Sequence, residues 1–274
     1  MRKIDRLGWA AGISFVSYGV RVGIRVNREQ ELDRILQHLP PGWKPSRSPV
    51  VERLYSVFLA NDGARTSVRR FNLLYRNVER IARTFDVDQI FTTLESDIRL
   101  HVAERAERRL FVHAGVVGWR GQAVLIAGRS FSGKTTLVAE MVRAGATYYS
   151  DEFAILDERG RVHPFPKPLS IRREGEHKQV DHAVEALGGR SGVEPLPVRL
   201  VVCGEFKPGA SWMPRELSAG EGILEMLANT IAARRQPAKA LSTLQRVTEQ
   251  ARVLKGARGE AKEVAASILK ALGS

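Results

Sequence analysis

The residues with the most specific chemistry are Gly128-Arg129-Ser130-Phe131-Ser132-Gly133-Lys134-Thr135, a full match to the phosphate-binding pattern G-x-x-x-x-G-K-[ST]. Glycines at both ends let a loop curl until its N–H groups converge on phosphate oxygens, with a helix N-terminus behind them. Lys134 can then reach the β- and γ-phosphates, the Thr135 hydroxyl can ligate Mg²⁺, and Thr136 extends the cradle into the helix. The expected ligand is a nucleoside triphosphate, read as ATP with Mg²⁺. Two further groups could act on a bound phosphate. One is His113, in Phe111-Val112-His113-Ala114-Gly115; the other is the carboxylate pair Asp151-Glu152. In such a pair one carboxylate can accept the proton of an attacking hydroxyl while the other holds Mg²⁺.

These groups need elements to position them. Residues 123–127 read as a short buried strand and 135–144 as an amphipathic helix, so the loop sits between strand and helix as its chemistry requires. A strand at 148–150 then leads into the acids. The order strand, loop, helix, strand, acid pair sets the carboxylates beside the phosphate site of an α/β sheet. Further strands are expected at 110–116, 154–156, 162–164 and 198–203, with a hairpin turn at Asp157-Glu158-Arg159-Gly160. Helices are expected at 220–233, 238–254 and 258–272, making the carboxyl end helical.

Before this region, alternation over 13–26 predicts half-buried strands, and 28–39 reads as a helix with Asn27 as its N-cap. Strands at 54–60 and 71–75 flank a turn at Asn61-Asp62-Gly63. A long helix over 86–108 carries Ile90, Leu94, Ile98 and His101 on one stripe. A boundary near Arg108 divides the chain into an N-terminal α/β region, 1–108, with no assigned role, and a nucleotide-binding domain, 109–274.

The segment from His113 to Glu152 resembles the catalytic core of the HPr kinase/phosphorylase family, and more closely the HPr-kinase-related proteins. His113, Gly128 to Thr135, Arg143-Ala144-Gly145 and Asp151-Glu152 follow the family's order at similar spacing. The resemblance covers about 60 residues, with a weaker likeness beyond. It implies a nucleotide fold of the phosphoenolpyruvate carboxykinase type and transfer of the γ-phosphate to a serine. By the same resemblance, Asp151 is the general base assisted by His113, Lys134 is catalytic, and Glu152 joins Thr135 in binding Mg²⁺. Three departures bear on this. Glu152 stands where a second aspartate is usual, Arg129 and Phe131 are bulky for their positions, and the glycine- and asparagine-containing signature tied to phosphorylase activity has no match.

Composition narrows the partners. The net charge of +13, from 43 Lys and Arg against 30 acids, favours anionic partners. Arginine pairs at Arg69-Arg70, Arg108-Arg109, Arg172-Arg173 and Arg234-Arg235 are dispersed and lack aromatic interleaving, which argues against nucleic acid. Lys167 and Arg172 are candidates to meet a transferred phosphate or an acidic substrate, whereas Arg234-Arg235 reads as a helix C-cap. The start, Met1 to Arg6, is charged, residues 7–16 are broken by Gly8, Gly12 and Ser14, and no apolar run suffices for a membrane span. The single cysteine, Cys203, sits in an apolar strand and reads as buried. A cytoplasmic enzyme, possible as a homo-oligomer, is expected, acting on a phosphoacceptor protein, peptide or metabolite. An ATP-binding sensor that works through a protein partner is the alternative.

Overall fold

The computed structural model describes residues 3–60, 71–129, 131–172 and 179–273. The chain is mixed α/β and forms two compact units, residues 1–107 and 108–274.

In the first unit, β1 (Ala11–Ser17) and β2 (Val20–Val26) form a hairpin, followed by the short helix α1 (Leu32–Leu36). Then come β3 (Lys44–Pro45), β4 (Arg53–Phe58), β5 (Asn72–Arg76), β6 (Glu79–Thr84) and the long helix α2 (Val87–Arg105). The six strands make one sheet in the order β3-β1-β2-β4-β5-β6, with only β2 and β4 parallel. The Asp86 side chain caps α2, and Ile90, Leu94, Ile98 and His101 are all buried, as the stripe required. Residues 28–39 do not make one helix: a 3₁₀ turn (Glu29–Glu31) precedes the five-residue α1. Asn27 does not cap it. Its amide donates to Leu59 O at 3.0 Å and its Oδ1 accepts from Leu59 N at 2.8 Å, tying two strand ends together. The turn expected at 61–63 lies outside the described residues.

The second unit opens with β7 (Leu110–Trp119) and β8 (Gln122–Ala127), then the glycine loop and α3 (Lys134–Arg143). It continues with β9 (Thr147–Ser150), β10 (Phe153–Leu156), β11 (Arg161–His163), the pair β12 (Leu169–Arg172) and β13 (Gln179–His182), and β14 (Leu196–Cys203). The chain ends in β15 (Arg215–Glu216), α4 (Ala219–Leu227), α5 (Pro237–Thr248), β16 (Arg252–Lys255) and α6 (Ala261–Gly273). An eight-stranded sheet runs β11-β10-β7-β8-β14-β16-β15, with β9 on β7; β8, β14 and β16 are parallel.

Strand periodicity builds two cores from one sheet. Ala123, Leu125, Ala127, Val201 and Cys203 face one side, where Met226 of α4 and Leu244 and Val247 of α5 cover them. Val124, Ile126, Leu200 and Val202 face the other, under Leu137 and Met141 of α3 and Val264 and Ile268 of α6. Burial on both faces is why these strands read as unbroken apolar runs. Gly115 lets α3 approach β7: a Cβ there would lie 2.6 Å from Val138 Cγ2.

Two expected helices differ. The helix read over 238–254 stops at Thr248, and Arg252–Lys255 is strand β16 between β14 and β15. The helix read over 220–233 ends at Leu227; Thr230 bridges Val112 of β7 instead, leaving Arg234-Arg235 in the turn before α5 rather than at a helix end.

Candidate functional site

The glycine loop leaves the carboxyl end of β8, beside the end of its parallel neighbour β14, with parallel β16 next beyond it. Open α/β sheets bind ligands at this edge. Gly133 adopts a left-handed backbone (φ 81°) that turns the loop into α3 and supplies no side-chain cap. The first amides of α3 therefore have no intrahelical acceptor. Phe131 is also left-handed (φ 65°), an unfavourable conformation for a bulky residue, and it is 82% exposed at the loop tip. Ser130 lies outside the described residues.

Lys134 is buried, and its ammonium is held from three directions. Nζ donates to Gly128 O at 2.9 Å and Arg129 O at 2.7 Å, and lies 3.1 Å from His113 Nε2. An ammonium has three donors and no acceptor, so Nε2 must accept and the neutral imidazole carries its proton on Nδ1. Burial pushes the His113 pKa down to about 4, helped by the Lys134 charge and opposed by Asp151 and a hydrogen bond to the Glu152 backbone. Burial also lowers Lys134 to about 8, reinforced by Arg258 and opposed by Asp151 and Glu152. His113 is thus neutral at pH 7 and Lys134 mostly charged.

The acids follow β9 through a turn held by Ser150, whose Oγ accepts from Glu152 N at 3.1 Å and Phe153 N at 2.9 Å. This turn aims Asp151 at the loop. Asp151 Oδ2 accepts from Thr135 Oγ1 at 3.2 Å; Oδ1 lies 3.0 Å from the Tyr148 hydroxyl and 3.2 Å from Lys167 Nζ. Lys167 also approaches Glu152 Oε2 at 3.9 Å. Burial and the Asp151 charge raise the Tyr148 pKa, keeping its hydroxyl protonated. The Asp151 side chain is 3% exposed and that of Glu152 22%.

Lys134, His113, Thr135, Asp151 and Lys167 therefore share one cluster, and Glu152 joins it through Lys167. The Arg172 side chain lies outside what is described. Among the described residues no three His, Cys, Asp or Glu side chains gather as a metal site. A Thr135–Asp151 oxygen pair nonetheless suits Mg²⁺, which commonly takes one or two protein carboxylates and completes its shell with phosphate and water.

Arg258 is a site residue that the motif does not reveal. It is 3% exposed, and its Nη2 donates to Ser132 O at 2.6 Å and Gly204 O at 3.0 Å. Phe206 N also donates to Ser132 O, at 3.3 Å, so residues following β14 and β16 clamp the loop. No local pattern marks Arg258, since its partners come from distant parts of the chain.

Two cavities flank the loop. One, of about 600 Å³, lies at the ends of β8, β14 and β16; Arg129, Glu205, Lys207, Glu225, Asn229 and Lys255 supply its polar lining. It adjoins the cluster through Asn229, whose carbonyl accepts from His113 N at 2.7 Å. The other, of about 160 Å³, lies between the start of α3 and the start of α6.

No protein-family model matches the chain, and no curated protein matches it. Among the described residues no helix is long and apolar enough to cross a membrane.

Proposed function

We propose that the chain is an ATP- and Mg²⁺-dependent kinase that transfers the γ-phosphate to a hydroxyl, with a P-loop domain of the HPr kinase/phosphoenolpyruvate carboxykinase type. The observation that carries this reading is the Thr135–Asp151 contact beside the Lys134–His113 pair, all at the mouth of an uncapped helix. Phosphoryl transfer asks a protein mainly for positioning and charge stabilisation, which this arrangement suits.

In the proposed mechanism the amides of α3 and Lys134 hold the phosphates. Lys134 would exchange its Gly128 and Arg129 carbonyls for phosphate oxygens while His113 Nε2 keeps one of its protons directed. Bound Mg²⁺ would supply charge neutralisation for the phosphates. Thr135 and Asp151 would hold it, directly or through water. This exchanges the roles that the family resemblance gives the acid pair. Asp151 is buried and already accepts from Thr135, which leaves the more exposed Glu152 to accept the proton of the attacking hydroxyl.

The resemblance makes a serine of a small protein or peptide the expected acceptor. A metabolite is the second reading, favoured by the 600 Å³ cavity beside the cluster, which falls in the size range of small-molecule sites. The test is incubation with γ-labelled ATP and Mg²⁺ against macromolecular and small-molecule fractions of a cell extract. A labelled acceptor is expected in one fraction and not with Lys134→Ala. That substitution removes charge-assisted contacts worth about 1.5–3 kcal/mol even in a ground-state complex. Unchanged labelling in Lys134→Ala would overturn the loop assignment. Tight ATP binding with no labelled acceptor would leave the sensor reading in its place.

A further inference from the structure

We infer that the smaller cavity, between the first turn of α3 and the start of α6, is the pocket for the nucleotide's base, with Phe206 as its stacking surface. The inference rests on the loop being a triphosphate site and extends that reading to the other half of the ligand.

The direction follows from the helix. Thr135 faces Asp151, and with it the proposed Mg²⁺ and terminal phosphates. Thr136 is turned about 100° further round the helix, and it lines this cavity together with Gly133 and Leu137. A nucleotide whose terminal phosphates meet Lys134 and Thr135 therefore has an adjacent opening for its remaining half. Size agrees. The cavity holds about 160 Å³, too little for a triphosphate, but a cavity of roughly 150 Å³ takes one small aromatic ring.

Its lining suits a flat heteroaromatic group. Leu137, Ala261 and Val264 form apolar walls, and Phe206, 44% exposed, presents an aromatic side chain at the edge. Arg258 and Glu260 are the charged members of its lining. One terminal nitrogen of Arg258 is engaged by Ser132 and Gly204, which fixes the guanidinium against the glycine loop at the cavity wall. The 600 Å³ cavity is the poorer alternative for a base, because Arg129, Glu205, Lys207, Glu225 and Lys255 give it five charged lining residues, against Arg258 and Glu260 in the smaller one.

The Phe206 side chain can be changed without touching the backbone amide that holds Ser132, so the two halves of the ligand can be tested separately. The affinities of ATP and of inorganic tripolyphosphate are measured by calorimetry on the full chain, as wild type, Phe206→Ala and Phe206→Tyr. Wild type is expected to prefer ATP by at least about fivefold, the lower end of one base–aromatic stack. Phe206→Ala should lose that preference with tripolyphosphate affinity unchanged, and Phe206→Tyr should restore it. Equal affinity for the two ligands in wild type, or a preference that survives in Phe206→Ala, overturns the base pocket alone. Failure of wild type to bind either ligand overturns the loop reading beneath it. A loss of tripolyphosphate binding in Phe206→Ala that Phe206→Tyr does not repair would assign Phe206 to loop support and reject it as a stacking surface.

Discussion

Two helices of the second unit begin in opposite ways. The start of α4 is closed by its own side chains: Ser218 Oγ accepts from Glu221 N at 3.4 Å, and Glu221 Oε2 accepts from Ser218 N at 2.9 Å. This capping box satisfies orphan amides reciprocally. The start of α3 has left-handed Gly133 at the cap position, no capping side chain, and Lys134, a positive charge, at the positive end of the helix dipole. By local rules α3 begins badly and α4 well. The difference is informative because α3 is firmly packed, with Leu137, Val138, Met141 and Val142 all buried. Its tertiary contacts carry the helix and leave its first amides for another acceptor. Local rules give way at one point of an otherwise consistent fold, and functional sites are where such violations are expected.

The sharpest test of this contrast concerns the groups in front of α3. Glu152→Gln should lower phosphoryl transfer by about 10²–10⁴, the usual scale for a lost acid–base group, read from single-turnover rates, and Asp151→Asn should lower it by weakening the hold on Mg²⁺. Affinity separates them. Asp151→Asn should also lose the Mg²⁺-dependent part of ATP binding, whereas Glu152→Gln should keep it. If Asp151→Asn retains Mg²⁺-dependent affinity while Glu152→Gln loses it, the acid pair has the roles that the family resemblance assigns.

A second test uses the charge balance behind α3. The His113 pKa is about 4 in the fold, against 6.5 for an unperturbed imidazole. Between these values the unfolded chain takes up a proton that the folded chain refuses. Stability from this group is therefore complete above pH 6.5 and lost as pH falls through 4. The gap corresponds to at most about 3 kcal/mol. Urea midpoints at pH 7 and pH 4.5 should show wild type losing more stability than His113→Gln. Parallel losses would mean that the imidazole is not buried against Lys134.

Legibility followed sequence separation. The strand–loop–helix unit, the stripe of α2, and the apolar strands of the two-sided sheet could be read because each signal lies within a few residues of itself. Strand β16 could not. Its four residues, Arg252-Val253-Leu254-Lys255, continue the helical pattern of α5, and so short an apolar run does not separate helix from strand. The site divides in the same way. Lys134, Thr135 and the acid pair announced themselves through motif spacing, and Lys167 was one cationic candidate among several. Tyr148 read only as a strand residue, and neither Arg258 nor Phe206 carried any signal. Their roles depend on β14 and β16 ending beside the loop, which strand pairing alone creates.

The smallest expected effect lies at the helix that closes itself. Ser218→Ala removes the hydroxyl that accepts from Glu221 N and disrupts the reciprocal box. Replacing such a cap costs about 0.5–2 kcal/mol, measurable as a lower urea midpoint with unchanged slope. ATP affinity should stay within twofold of wild type, because the amides released at α4 return to water and those at α3 are untouched. A comparable loss of ATP affinity would show that α4 helps to shape the nucleotide site, and would break the contrast between one helix start that serves the fold and another that serves a ligand. Stability reduced with binding preserved is the expected result, since an exposed capping box acts on its own first turn and the loop before α3 is held instead by Arg258 and Phe206.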